Sequence, residues 1–235
     1  MILRFLILIC VGASLSACSY HFTAGSTAKN VPLEPTSAVD SSVLRFIQPF
    51  SDSLAAQMNV ILGKAPVNFI VSVPSSNLMN WSADALFVEE TKTVKMSEPA
   101  MVILNAGGLR ASINQGMVTV GDIYKLMPFD NTVAWVRLPI ERIPEIESFL
   151  KGSKGLPLSN ARYEKGKLTL NGRNDNHTHF WVITSDYLAK GGDKMNFFMN
   201  PTEFVSTNRN LRDVFMEAVK SQGTLIENTE IRFIP

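Results

Sequence analysis

The chain has 235 residues, 46% of them hydrophobic and 18% charged, a composition that folds around a core and excludes a disordered chain. Its 22 Lys and Arg nearly match its 21 Asp and Glu, for a formal net charge of +1. Arg4 is the one basic residue before Cys18, so the remainder carries 21 charges of each sign. That balance excludes an electrostatic case for nucleic acid or for a polybasic membrane patch.

Arg4 opens onto an apolar run over 5–11, too short to span a bilayer and shaped like a signal-peptide core. Leu15-Ser16-Ala17-Cys18 then resembles the bacterial lipoprotein cleavage box, whose cysteine is acylated and becomes the first mature residue. An ordinary secretory signal with an incidental Cys18 is the competing interpretation. No cysteine follows Cys18, so the mature part can form no internal disulfide. The expected organisation is a signal peptide over 1–17, a lipidated N-terminus and tether over 18–40, and one folded domain over 41–235. The expected location is the cell envelope, lipid-anchored to a bacterial membrane with the domain outside the cytoplasm.

The tether, punctuated by Gly25, Pro32 and Pro35, has room for one short strand at 20–23. Val43, Leu44, Ile47, Leu54, Ala55 and Met58 recur at helical spacing over 41–58, and Pro49 predicts a kink or two abutting helices. Val67, Phe69, Val71 and Val73 alternate as in a half-buried strand. A helix is expected over 77–89, a short buried strand over 101–104, a short helix over 120–126 and a strand over 132–138. Ile143, Ile146, Phe149 and Leu150 form the stripe of a short helix with Pro144 in its first turn. Further strands are expected around Leu168 and Leu170 and over 180–183. The last helix covers 211–221, with Leu211, Val214, Phe215 and Ala218 inward and Gly223 as its C-cap. Ile231 and Phe233, flanking Arg232, suggest a terminal strand over 230–234. Helices and strands interleave irregularly, which indicates an α+β fold: a single domain with a mixed β-sheet and flanking helices.

Three segments carry candidate chemistry. Asn105-Ala106-Gly107-Gly108-Leu109-Arg110 follows a buried strand. Its paired glycines let backbone N–H groups approach a ligand, and Arg110 offers a planar donor fork to phosphate or ribose oxygens. A structural turn has the same residues. Pro128-Phe129-Asp130-Asn131 sets an aromatic beside a side-chain amide, suited to stack on a base and bond its edge, or to supply a core Phe after a helix stop. Tyr187-Leu188-Ala189-Lys190-Gly191-Gly192-Asp193 puts a carboxylate on a glycine loop, suited to accept from sugar hydroxyls. A strand-end turn is its plainer alternative.

In this order the three segments resemble the C-terminal domain of the 5′-nucleotidase family, which includes UDP-sugar hydrolases and cyclic-nucleotide phosphodiesterases. Asn80-Trp81-Ser82-Ala83-Asp84-Ala85-Leu86 resembles that family's Gly-Asn-Leu-x-x-Asp-Ala helix. The resemblance runs from about Ser41 to the C-terminus. It implies a nucleoside held between two aromatics, Phe129 and Tyr187, with Asn105, Gly107, Gly108 and Arg110 contributed by the first segment. It further implies Asn131 as the amide after the stacking ring and Asp193 as the carboxylate on the ribose. Base–aromatic stacking contributes about 1–3 kcal/mol per base and tolerates different bases. The chain departs from the family at Val73-Pro74-Ser75-Ser76-Asn77, where members often carry arginine. It departs again at Met79 for glycine, Trp81 for leucine and Asp130 for glycine.

Hydrolysis in this family uses two metals, held by Asp, His and Asn in a separate N-terminal domain. Here His21 falls in the tether, and His177 and His179 are expected on an exposed strand edge with no further ligands at a recognisable spacing. No cofactor and no catalytic residue is therefore expected in this chain, and the two divalent metals belong to a partner. The resemblance implies the substrate-binding half of a split 5′-nucleotidase, positioning nucleotide for a separately encoded metallophosphatase. A stand-alone nucleoside-binding envelope lipoprotein and a structural lipoprotein with a decayed site are the alternatives. The expected partners are that metallophosphatase, a nucleoside or nucleotide, and a membrane reached through the lipid.

Overall fold

The computed structural model describes residues 40–235. The expected signal peptide, Cys18, His21 and the strand expected at 20–23 lie outside the described residues. The described residues divide inside helix α1 (Ser41–Met58), and the second unit is Ile47–Pro235. Asp40 caps that helix, its Oδ1 accepting from the Ser42 N–H at 2.8 Å. α1 runs as one helix through Pro49, so the expected split into two does not occur. One proline removes a single N–H from the ladder and leaves the neighbouring bonds to carry the helix.

The second unit is built on a five-stranded sheet in the order β5 (Leu158–Ser159), β2 (Ala100–Ile103), β8 (His179–Ser185), β4 (Thr132–Pro139), β9 (Glu203–Asn210). β2 and β8 are parallel, and the other neighbours are antiparallel. Side chains alternate between the faces of a strand, and both faces of this sheet are covered. Val102, Val133, Trp135 and Ile183 enter one core with helices α2 (Asn77–Thr91) and α6 (Leu211–Gln222). Met101, Ala134, Val136, Phe180 and Val182 enter the other core. That side is closed by helix α4 (Ile143–Gly152) and a small sheet of β10 (Phe233–Ile234), β6 (Ala161–Glu164) and β7 (Lys167–Leu170). A third sheet pairs β1 (Ile61–Ala65) with β3 (Gly116–Thr119). The α+β class, the mixed sheet and the flanking helices are as the sequence indicated.

Several elements differ from expectation. Residues 67–73 form no strand. β1 lies just before them, and Pro66, which has no N–H to donate, follows its last residue. Beyond it only Phe69 makes a ladder bridge, to Ile113. Side-chain amides take over: the Ile70 N–H donates to Asn77 Oδ1 at 3.0 Å, and the Gln115 N–H to Asn68 Oδ1 at 2.8 Å. The terminal strand shrinks to β10, and just before it Ile231 is exposed and Arg232 buried. The Arg232 guanidinium donates to both carboxylate oxygens of Asp84, at 2.6 and 2.9 Å. His179 opens β8, an interior strand, and His177 lies in the loop before it, so neither sits on a sheet edge.

The Asn80–Asp84 stretch of α2, which carried part of the family resemblance, is a staple of the fold. Asn80 Nδ2 donates to the carbonyls of Asn228 and Glu230 at 3.0 and 2.8 Å, and Trp81 Nε1 to Gln222 Oε1 at 3.1 Å. With Asp84 on Arg232, these bonds fasten the C-terminal segment across α2.

Candidate ligand pocket

Three connections meet at one end of the five-stranded sheet. β2 and β8, the parallel pair, both finish there, and ligands of open α/β sheets bind beyond such strand ends. After β2, Leu104 leads into Asn105 and a tight turn at Ala106–Gly108. Helix α3 (Val120–Leu126), started by a Thr119–Asp122 capping box, ends at the 127–131 loop that feeds β4. After β8, Ser185 caps the short helix α5 (Asp186–Ala189), and a glycine turn carries Asp193 back.

These loops enclose a pocket of about 450 Å³. Asn105, Gly107, Gly108, Arg110, Phe129, Asn131, Tyr187 and Asp193 all line it, and Leu104, Met127, Ser185 and Leu211 complete its wall. Every pocket residue singled out in the sequence is thus brought to one place. Phe129 and Tyr187 are 44% and 46% exposed, against 0% for a core ring such as Phe69. Phe129 is therefore not the core ring that the plainer interpretation of its segment required.

Asp193 is the hub. Its Oδ1 accepts from the Tyr187 hydroxyl at 2.8 Å, and its Oδ2 from Asn105 Nδ2 at 2.6 Å. Its own N–H donates back to the Tyr187 oxygen at 3.3 Å. The backbone of Asp193 is left-handed, at φ 52° and ψ 27°, which costs a non-glycine residue roughly 1–2 kcal/mol. The glycines around it do something other than expected. A Cβ on Gly108 would lie 2.6 Å from Asn105 Oδ1, and one on Gly192 would lie 2.5 Å from the Tyr187 ring. Both positions make room for the side chains that hold Asp193. A Cβ on Gly107 would meet nothing within 4 Å, so this glycine is the one left open to an approaching ligand. Arg110, exposed at the rim, donates through Nη1 to the Gly107 carbonyl at 3.2 Å.

Two further ties brace the aromatics, and no sequence pattern announced them. Asp186 accepts from the Thr132 N–H at 3.0 Å and from the Lys190 ammonium at 2.9 Å, which joins the start of β4 to α5. Burial is the largest single influence on the Asp186 carboxyl and pushes it up. The Lys190 ammonium and the N–H groups of Thr132 and Tyr187 together outweigh burial and hold it below the ordinary carboxylate range. Arg212, buried on α6, donates to Asp130 Oδ1 at 2.7 Å and to the Met127 carbonyl at 3.3 Å. Its guanidinium lies 4.1 Å from the centroid of the Tyr124 ring. Asp130, standing where glycine is common, therefore clips the Phe129 loop to α6.

Residues 60–142 match the family model of the 5′-nucleotidase C-terminal domain. That segment holds β1 to β4 and two of the three pocket loops. Over that segment the chain is similar to the C-terminal domain of 5′-nucleotidases. A 5′-nucleotidase of Vibrio parahaemolyticus is 21% identical over 208 residues, covering 80% of this chain and 35% of that protein. Among solved structures, the 5′-nucleotidase precursor of Thermus thermophilus aligns with a TM-score of 0.66 at 21% identity, over 82% of this chain and 42% of that one. The NAD nucleotidase of Haemophilus influenzae gives 0.61 at 19%, over 83% and 41%. At such identities the structural likeness establishes the fold. The chain spans well under half the length of these relatives.

Among the described residues no group of three or more His, Cys, Asp and Glu side chains is placed to hold a metal ion. His177 Nδ1 accepts from the Asn174 N–H at 3.1 Å, and His179 Nδ1 lies 2.9 Å from the Thr178 hydroxyl.

Proposed function

We propose that this chain is a 5′-nucleotidase-type C-terminal domain that holds the nucleoside part of a nucleotide and presents its phosphate to a metallophosphatase on a separate chain. The observation that carries this reading is one pocket with two half-exposed rings, Phe129 and Tyr187, and a doubly held carboxylate, Asp193. The base lies between the rings, with Asn131 at its edge. Asp193 accepts from the ribose hydroxyls, and Arg110 donates to ribose or phosphate oxygens. A volume of about 450 Å³ falls in the usual range for small-molecule pockets.

Binding a nucleoside holds ground state and transition state about equally, so by itself it accelerates no hydrolysis. Joined to a metal centre, the same binding becomes positioning. In this reading Cys18 is acylated and tethers the domain to a bacterial envelope membrane, where the exported nucleotide is met.

Phosphate release from AMP tests the division of labour. The purified chain, with added manganese or zinc, should release none, and a co-purified metallophosphatase should turn over faster in its presence. That gain should vanish when Phe129→Ala and Tyr187→Ala are combined. Robust, chelator-sensitive release by this chain alone would overturn the assignment.

A further inference from the structure

Tyr187 carries a hydroxyl that stacking does not use. We infer that this hydroxyl makes the pocket selective for nucleosides with an intact ribose 2′,3′-diol, by aiming Asp193 at it. The inference rests on the nucleoside reading above and goes beyond it to the group that holds the carboxylate in place.

An ionised carboxylate offers about four acceptor sites on its two oxygens. In Asp193 one site on each oxygen is already filled, by the Tyr187 hydroxyl on Oδ1 and by Asn105 Nδ2 on Oδ2. One site per oxygen remains on a side chain that lines the pocket. Two parallel acceptors of this kind match two adjacent hydroxyl donors and fall short of use when either hydroxyl is missing.

The holding arrangement is rigid for identifiable reasons. Tyr187 and Asp193 close a ring: hydroxyl to Oδ1 in one direction, and Asp193 N–H to the phenol oxygen in the other. That ring offsets the cost of the left-handed backbone at Asp193. The Tyr187 side chain is seated directly on Gly192, where a Cβ would come within 2.5 Å of it. Asn105 comes from a different loop, 88 residues away in sequence. The orientation of the stacking ring and that of the carboxylate are thus fixed by one side chain. Phenylalanine at 187 would keep the ring and leave Asp193 held by Asn105 alone. Tyr187 is therefore a positioning residue through its hydroxyl, in addition to its contact with the base.

The test is calorimetry on the intact chain with two probes, adenosine and 2′,3′-dideoxyadenosine. The parent should prefer adenosine. Tyr187→Phe should weaken adenosine by about tenfold, the usual worth of a hydrogen bond to a charged group, while dideoxyadenosine is unchanged, so the preference narrows. Asn105→Ala, which frees the other oxygen, should narrow it as well and serves if Tyr187→Phe does not fold. A preference that survives in both variants overturns the inference alone, as does an equal loss for both probes, the mark of a merely structural bond. A parent that binds neither probe overturns the nucleoside reading and this inference together.

Discussion

Gly192 shows how closely the pocket residues depend on one another. A methyl group there would stand 2.5 to 2.6 Å from the Tyr187 ring and 2.6 Å from its carbonyl oxygen. Overpacking of this kind costs about 1–3 kcal/mol. Gly192→Ala should lower the thermal midpoint and weaken adenosine binding, whereas Gly107→Ala, with open space around it, should melt as the parent does. Equal midpoints for Gly192→Ala and the parent would show that the ring moves aside freely. At this scale the sequence disclosed which residues gather, because motif order carries over from a family. It did not disclose what the glycines are for. A glycine in a sequence says that a side chain is absent, and only the fold says that Asn105 or Tyr187 occupies the space. The Asp130–Arg212 pair was hidden for a related reason: its partners are 82 residues apart, and no spacing rule links them.

Among the elements, the pocket depends on the junction between the start of β4 and α5, and Asp186 makes that junction. Removing its carboxylate leaves the Thr132 N–H without its acceptor, a loss of about 1 kcal/mol. The folded-state pKa of Asp186 is depressed, so its contribution is fully present above the ordinary aspartate value of about 3.9 and is lost as pH falls through the lower folded value. Asp186→Ala should therefore melt below the parent at neutral pH, with the gap closing in acid. Thermal scans across that range check it, and a gap that widens as pH falls would contradict the sign. The helices at 120–126, 143–152 and 211–222 were legible because apolar spacing and capping residues agree there. Alternation at 67–73 looked as regular, yet that segment's polar groups find the side chains of Asn68 and Asn77 in place of a ladder. β9 escaped notice because an edge strand with mostly exposed side chains has little apolar alternation to show.

For the whole molecule, the proposal joins a neutral domain, a lipid anchor and a catalytic partner. The anchor rests on Leu15-Ser16-Ala17-Cys18. Cys18→Ala should leave the chain unprocessed or release it from the membrane fraction, and fractionation and migration like the parent's would remove the anchor. Whether the pocket takes a nucleoside is a separate matter, on which everything else depends. Adenosine titrated into the intact chain by calorimetry decides it. The expected result is saturable binding at one site per chain, weakened by about 1–3 kcal/mol in Phe129→Ala and lost when Tyr187→Ala is added. No binding by the parent, or equal affinity in parent and Phe129→Ala, would contradict the nucleoside pocket.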